Sequence, residues 1–202
     1  MRKLVVLTFV SLDGVMQAPG GPEEDQSGKF EFGGWTAPYF DEAGGEVMGK
    51  QMGMPFDLLL GRKTYDIFAE YWPKHDNEVG KPLNSAVKYV VTDDEAADTS
   101  WEKTVRISGD VASEIKKLKA SDGPMLQVHG SGELIQTLLK NDLVDELWLK
   151  TFPVTLGKGK RLWGEGVIAG DWKLTESTVT PSGVICANYS RDGDVQTGTV
   201  GE

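Results

Sequence analysis

Two segments of the chain combine an apolar run, a glycine and the start of a helical pattern. The first covers residues 56–65 and turns at Gly61, and the second covers residues 125–134 and turns at Gly130 and Gly132. A helix N-terminus presents unpaired backbone N–H groups and a partial positive charge, and glycine lets a ligand approach the backbone closely. Two such junctions in one domain therefore predict a site for an extended phosphorylated ligand such as a dinucleotide.

The first junction also carries charged and hydroxyl side chains. Arg62, Lys63 and Thr64 lie in the expected first turn of the helix, where cations oppose the helix dipole. Their position is favourable if an anion lies among them, and otherwise they are ordinary basic residues on a solvated helix. Each junction taken alone could be a simple turn, so the prediction depends on the pair.

Motifs along the chain resemble those of one enzyme superfamily. Residues 60–65, Leu-Gly-Arg-Lys-Thr-Tyr, resemble the cofactor-binding segment of dihydrofolate reductases, and residues 128–134 resemble their second glycine motif. Residues 11–14, 143–147 and 153–159 resemble the reductase domain of the bifunctional riboflavin-biosynthesis deaminase–reductases. From about residue 3 to about residue 191, the chain is similar to the stand-alone proteins that correspond to this C-terminal reductase domain.

The resemblance implies a reductase that uses NADPH. Its reaction would be hydride transfer to a C=N or C=O of a pterin- or pyrimidine-like substrate, as in the aminouracil reductase of riboflavin synthesis. Dihydrofolate reductase activity, or a non-catalytic nucleotide- or ligand-binding role on the same fold, are the alternatives. NADH also stays open, because Asp93 and Asp94 follow Thr92 and would repel a 2′-phosphate that Arg62 and Lys63 would attract.

The resemblance further assigns individual site residues. The positions expected to bind the cofactor are Thr8, Phe9, Val10, Val15, Gly61, Arg62, Lys63, Thr64, Thr92, Gly130, Ser131, Gly132, Glu133 and Leu134. Trp35, Phe40 and Asp41 are expected to bind substrate, and Asp41 is the candidate catalytic acid because the reduction also consumes a proton. Glu42 and Glu46 are rival acids. Asp41 and Glu42 could instead only stabilise the first turn of a helix.

Several other polar residues have structural interpretations. His129 ends a strand at the second glycine motif, where we expect a satisfied core histidine, although it could touch the cofactor. Lys158 and Lys160 fit surface lysines or a basic loop near the substrate, and Asp13 fits the cap of a turn. The single Cys186 fits a structural thiol, and the sequence shows no metal-ligand spacing of His, Cys or Glu.

Composition narrows the class of protein. The 202 residues carry a net charge of −10 and are 39% hydrophobic. The negative charge disfavours binding to nucleic acid, and the lack of an apolar run of about 18 residues argues against a membrane span. One cysteine fits a reducing cytoplasm. We therefore expect a cytoplasmic protein that binds a small-molecule substrate and, as relatives of this type commonly do, forms a homodimer.

Alternating strands and helices predict an α/β fold with a mostly parallel sheet, and the resemblance specifies the three-layer dihydrofolate reductase-like form. The expected strands are residues 4–10, 57–60, 86–91, 105–107, 125–128 and 146–152, followed by an antiparallel hairpin of residues 172–179 and 184–190. The first expected helix begins at residue 36 or 38 and ends near residue 52. Three further helices are expected at residues 63–70, 111–119 and 133–140. Residues 19–34 are expected to form a long loop over the site. We expect one domain over residues 1–192 and a disordered tail over residues 193–202.

Overall fold

The computed structural model describes residues 1–201 and contains one mostly parallel central sheet. Its strands are β1 (Leu4–Ser11), β2 (Phe56–Gly61), β3 (Lys88–Val91), β4 (Thr104–Ile107), β5 (Met125–His129), β6 (Glu146–Phe152), β7 (Trp172–Val179) and β8 (Ile185–Arg191). Their order across the sheet is β4-β3-β2-β5-β1-β6-β8-β7. Strands β1 to β6 are parallel, and β8 and β7 add an antiparallel hairpin at one edge. The predicted sheet and its C-terminal hairpin are confirmed.

The α-helices are α1 (Glu42–Met52), α2 (Arg62–Tyr71), α3 (Gly80–Ser85), α4 (Val111–Ala120) and α5 (Gly132–Lys140). The prediction that α1 begins at residue 36 or 38 is wrong. Residues Ala37–Tyr39 form a separate 3-10 turn, and the extended backbone of Phe40 and Asp41 delays the helix until Glu42.

Helix α3 was not predicted, because Gly80 and Pro82 interrupt the helical pattern of the sequence. The side-chain Oδ1 of Asn77 accepts hydrogen bonds from the backbone N–H groups of Val79 and Gly80. This cap satisfies donors that the first turn of a helix leaves unpaired.

Helices cover both faces of the sheet, because the central strands are apolar on both sides. In β1, Leu4 and Val6 pack in one cluster with residues of α4 and α5, whereas Val5 and Leu7 pack in a second cluster with residues of α1, α2 and α3. Alternate side chains of a strand point to opposite faces, so a continuous buried run such as that of β1 requires a layer on each side. The result is the predicted three-layer arrangement.

The chain beyond β8 forms no helix or strand up to residue 201. The predicted disorder of residues 193–202 and the single domain over residues 1–192 stay predictions, and Glu202 lies outside the described residues. Among the helices described here, none is both long and apolar enough to pass through a membrane.

Strands β2, β5 and β1 lie side by side at the centre of the sheet. Because they are parallel, their carboxyl ends meet at one edge, where Gly61 ends β2 and His129 ends β5. Ligands of open α/β sheets bind outside this kind of edge.

Candidate active site

A cleft of about 870 Å³ opens at the carboxyl ends of β1, β2 and β5. This volume lies in the range of sites for small molecules and cofactors. The predicted cofactor-binding residues that line it are Thr8, Phe9, Gly61, Arg62, Lys63, Thr64, Thr92, Gly130, Ser131, Gly132, Glu133 and Leu134. The structure therefore brings both glycine junctions to one cleft. We call residues 61–64 and 130–134, together with Lys160, the junction half of the cleft.

The two junctions are joined by hydrogen bonds. The backbone N–H of Gly61 donates to Oγ of Ser131, and the backbone N–H of Ser131 donates to Oγ1 of Thr64, each at 3.0 Å. The φ angles of Gly130 and Ser131 are 53° and 55°, in the left-handed region, so the chain turns at once from β5 into α5. The N-termini of α2 and α5 are thereby fixed beside each other.

A carboxylate from the loop of residues 19–34 lies between two lysines of this half. Asp25 forms salt bridges with Nζ of Lys63 at 2.6 Å and with Nζ of Lys160 at 2.7 Å. Partial burial opposes ionisation of Asp25, but hydrogen bonds from Lys160, Lys63 and Ser27 outweigh it and lower the pKa of the carboxyl group. Lys160, one of the lysines interpreted as surface or loop residues, thus lines the cleft.

Arg62 lies at the start of α2, next to the acidic loop that follows β3. Its guanidinium forms a salt bridge with Asp66 at 2.5 Å and donates to the backbone oxygen of Asp98 at 2.8 Å. The carboxylate of Asp93 accepts a hydrogen bond from the backbone N–H of Gly109 at 2.8 Å. One of the two acids that bear on the choice between NADPH and NADH is therefore hydrogen-bonded to the turn between β4 and α4.

A second set of residues that line the cleft is mostly apolar. Its members, which we call the apolar half, are Leu7, Phe9, Met48, Met52, Phe68, Trp72, Val79, Leu83 and His129. Of these, only Phe9 was predicted as a site residue, and His129 was expected to be a core histidine that could touch the cofactor. Met48 and Met52 are four residues apart on α1, and Phe68 and Trp72 are four apart at the end of α2. Residues four apart share one face of a helix, but this spacing is equally typical of residues that pack in a core.

Five residues predicted to contact cofactor or substrate do not line the cleft: Val10, Val15, Trp35, Phe40 and Asp41. Val10 and Val15 are buried in the core, and Trp35 is buried with its Nε1–H donating to the backbone oxygen of Gln17 at 2.8 Å. Phe40 is half-exposed and lines a separate, smaller cavity. Their roles as ligand-binding residues stay predictions.

Asp41 is the N-cap of α1. Its Oδ1 accepts a hydrogen bond from the backbone N–H of Gly44 at 2.8 Å, and its Oδ2 accepts one from the backbone N–H of Ser182 at 3.0 Å. These bonds, that from Gly44 first, lower the pKa of the carboxyl group. The side chain thus joins α1 to the turn between β7 and β8, and these hydrogen bonds favour its ionised form. The rival acids Glu42 and Glu46 are exposed.

Asp13 caps the loop that begins after Phe152. It accepts hydrogen bonds from the backbone N–H groups of Leu156 at 3.1 Å and Gly157 at 2.8 Å, and from Oγ of Ser11 at 2.6 Å. The bond from Ser11 is the largest cause that lowers the pKa of Asp13 to about 2. Asp13 therefore caps a loop more than 140 positions away in the sequence, whereas its sequence context predicted a cap of the turn directly after β1.

The sheet order and the C-terminal hairpin define an α/β protein of the dihydrofolate reductase-like class. The family model of the RibD C-terminal domain matches residues 2–186, and the chain belongs to that family. An uncharacterized protein of Bacillus subtilis (strain 168), YyaP, is 30% identical over 141 residues, which cover 67% of this chain and 74% of that protein.

Solved structures share this fold. A putative riboflavin biosynthesis protein from Shewanella sp. PV-4 is 25% identical with a TM-score of 0.70, over 95% of this chain and 99% of that one. A dihydrofolate reductase from Enterococcus faecalis, complexed with NADP(H) and RAB-propyl, is 16% identical with a TM-score of 0.58, over 94% and 96% of the two chains. A pyrimidine reductase-like protein from Corynebacterium diphtheriae is 12% identical with a TM-score of 0.62, over 96% and 93%.

Proposed function

We propose that this protein is an NADPH-dependent reductase that transfers a hydride to a C=N or C=O of a pterin- or pyrimidine-like substrate. The closest reaction type is that of the aminouracil reductase of riboflavin synthesis. The observation that carries the proposal is the pair of helix N-termini that are hydrogen-bonded to each other and lie beside cations. They line the same cleft as the apolar half. Membership of the RibD C-terminal domain family and the fold shared with a dihydrofolate reductase complexed with NADP(H) support it.

The residues of the junction half fit an anionic dinucleotide. The first turns of α2 and α5 offer backbone N–H groups, and Arg62, Lys63 and Lys160 offer positive charge against a net charge of −10 for the chain. Bound NADPH would supply the hydride. Thr8 and Phe9 of β1 line the same cleft, so they are the residues that would orient the reacting ring.

The source of the proton distinguishes this proposal from a second candidate function. Asp41 remains our candidate acid, but its oxygens accept backbone hydrogen bonds, and none of the residues that make up the apolar half is an aspartate or glutamate. That observation favours, as the alternative, a non-catalytic protein that binds a nucleotide and a small ligand. The alternative predicts cofactor binding without turnover of either dihydrofolate or a phosphoribosylated aminopyrimidine.

The first experiment is a titration of the purified protein with NADPH and with NADH, followed by tryptophan fluorescence. Trp72 lines the cleft and is the expected reporter. We expect saturable binding that is tighter for NADPH, and binding of neither dinucleotide would refute the proposal. Arg62→Glu should weaken NADPH more than NADH, because it replaces attraction of the 2′-phosphate by repulsion. The control is Lys173→Glu, the same charge change on the exposed face of β7.

A homodimer, a small-molecule substrate and a cytoplasmic location complete the proposal. Light scattering coupled to size-exclusion chromatography tests the oligomeric state directly, since a monomer of 202 residues and its dimer differ twofold in mass. A single monomeric peak across a wide range of protein concentrations would rule out the dimer and leave the proposed reaction unaffected.

A further inference from the structure

His129 is the polar residue of the apolar half. It ends β5, is 9% exposed and lines the cleft, and its ring lies 6.5 Å from that of Phe56 and 6.1 Å from that of Phe68. A polar group in such surroundings determines which ligands can bind, because a ligand that leaves it unpaired loses a hydrogen bond to water.

A chain of buried hydrogen bonds fixes the tautomer of this histidine. Nε2 of Gln127 donates to the backbone oxygen of Gln51 at 3.3 Å, and that oxygen can only accept. The amide of Gln127 is therefore oriented with Oε1 towards His129, whose Nε2 lies 3.0 Å from it. Because Oε1 also only accepts, Nε2 of His129 must carry the hydrogen, and Nδ1 of the neutral ring is an acceptor.

The surroundings of His129 keep the ring neutral. The pKa of His129 is lowered to about 3, mainly by burial of the ring and secondly by the positive charge of Lys150 on β6. The ring neighbours from β2 and α2 are the uncharged Phe56 and Phe68. At physiological pH, Nδ1 therefore offers a lone pair and no charge.

Nδ1 of His129 faces the cleft. Within residues 1–201 it forms no hydrogen bond, and no buried side-chain nitrogen or oxygen there lacks a partner, so Nδ1 keeps solvent access through the cleft that the residue lines. It is thus an open acceptor in an otherwise apolar wall.

Charge is distributed unevenly along the cleft. The charged residues that line it are Glu24, Asp25, Arg62, Lys63, Asp66, Glu133 and Lys160. They belong to the loop of residues 19–34, to the starts of α2 and α5 and to the segment after β6, and none of them is part of the apolar half. An ionised group placed in the apolar half would lose its hydration without gaining a counter-ion.

We propose that the apolar half takes an uncharged aromatic ring that donates one N–H or O–H hydrogen bond to Nδ1 of His129. This inference names the substrate class of the proposed reductase and rests on that function, but ligand selection itself requires no turnover. A ring that presents a carbonyl oxygen at this point would face the lone pair of Nδ1. A ring bearing a phosphate or carboxylate there would contact no cation among the residues that line the apolar half. Aromatic contacts from Phe68 and Trp72 favour a planar ligand.

The test uses matched probes: indole, which donates an N–H; 1-methylindole, which lacks it; and indole-6-carboxylate, which is charged. Affinities are measured by calorimetry on the full chain. We expect indole to bind wild type about five- to tenfold more tightly than 1-methylindole, the value of one hydrogen bond to a buried acceptor, and the carboxylate to bind more weakly than indole. His129→Phe should remove the difference between the first two probes. The control His75→Phe changes the other histidine and should preserve it.

A second measurement needs no variant. Nitrogen-15 NMR of wild type should show protonated Nε2 and unprotonated Nδ1 for His129, with a shift of Nδ1 on addition of indole but not of 1-methylindole. Equal affinities for these two probes, no binding of indole, a protonated Nδ1 or a preference for the carboxylate would each overturn the inference. The NADPH titration on the same preparation reports separately on the proposed function, so the two can fail independently.

Discussion

The backbone N–H of Gly61 donates a hydrogen bond to Oγ of Ser131, 70 positions further along the chain. The return bond, from the backbone N–H of Ser131 to Oγ1 of Thr64, closes a small ring of contacts between the starts of α2 and α5. Two helix N-termini that start on different strands are thereby held as one rigid binding surface. Such preorganisation reduces the entropic cost of binding an extended anion.

Replacing Ser131 by alanine should weaken both the fold and the cofactor site. The N–H of Gly61 loses its acceptor in a partly buried position, which costs about 1–2 kcal/mol in the free energy of unfolding. The α2 and α5 starts are then less well fixed, so NADPH affinity should also fall. Urea denaturation and the fluorescence titration measure the two effects. Ser177→Ala, on the exposed face of β7, is the control, and a Ser131→Ala protein with unchanged stability would contradict the role of this contact.

We expect Asp25 to compete with a bound anion for the cations of the junction half. Its carboxylate pairs with Lys63 and Lys160, which line the cleft. Asp25→Asn keeps the size of the side chain and removes its charge, so the affinity for NADPH should rise about threefold to tenfold at low salt. The gain should shrink as ionic strength rises, because salt screens these charges.

The matched control for Asp25 is Glu23→Gln, an exposed acid two positions earlier in the same loop. It changes the net charge by the same amount, so an equal gain in both variants would assign the effect to the overall field of the protein. A loss of affinity in Asp25→Asn would mean that the carboxylate positions the lysines for the ligand and does not compete with it.

Two variants of Asp41 can distinguish a helix-capping role of this residue from a catalytic one. Asp41→Ala removes the acceptor for the N–H groups of Gly44 and Ser182, so the midpoint of thermal unfolding should fall. Asp41→Asn keeps one acceptor oxygen, which can serve the N–H of Gly44 but not also that of Ser182, and should restore part of that loss. If Asp41 also donates the proton, Asp41→Asn should abolish turnover of a reducible substrate while NADPH affinity stays at the wild-type value. Full turnover in Asp41→Asn would leave the residue with a structural role alone.

The parts of the site that the sequence could predict are those built by local chain geometry. Gly61 and Gly130 mark strand-to-helix turns whose residues are neighbours in the sequence, so their motifs locate them directly. Val10 lies outside the cleft for an equally local reason: it shares the face of β1 occupied by Leu4 and Val6, and its side chain joins the core cluster there.

The apolar half depends on packing between distant segments, and the sequence did not show it. Met52 and Leu83 are typical core residues by pattern, and they line the cleft only because α1 and the unpredicted α3 meet on one face of the sheet. Likewise, an acid that follows Trp35 and Pro38 can be located along the chain. Which N–H groups donate to its carboxylate depends on where the β7–β8 turn lies.

Lys150 belongs to a buried polar network with Gln51, Gln127 and His129. The pH dependence of stability tests the charge of its amine. Lys150 is 3% exposed on β6, and its Nζ donates to Oε1 of Gln51, with no carboxylate within salt-bridge distance among residues 1–201. Burial lowers the pKa of its amine to about 7, and the nearby Cys186 opposes this shift slightly. Since an unfolded lysine has a pKa of about 10.4, the unfolded chain binds more protons than the folded one between about pH 7 and pH 10. Stability should therefore rise with pH across this range.

Lys150→Met replaces the amine by an apolar side chain of similar length and should stabilise the fold at pH 6 by about 1–3 kcal/mol. The gain is limited because Oε1 of Gln51 loses its donor. Urea denaturation of wild type and variant from pH 6 to pH 10 should show the difference shrinking above pH 7, as the wild-type amine loses its proton in the folded state. Lys173→Met, at an exposed position of β7, should show no such pH dependence. A difference between wild type and Lys150→Met that stays constant with pH would mean that the buried amine keeps its proton throughout, and that Gln51 stabilises the charge more strongly than burial opposes it.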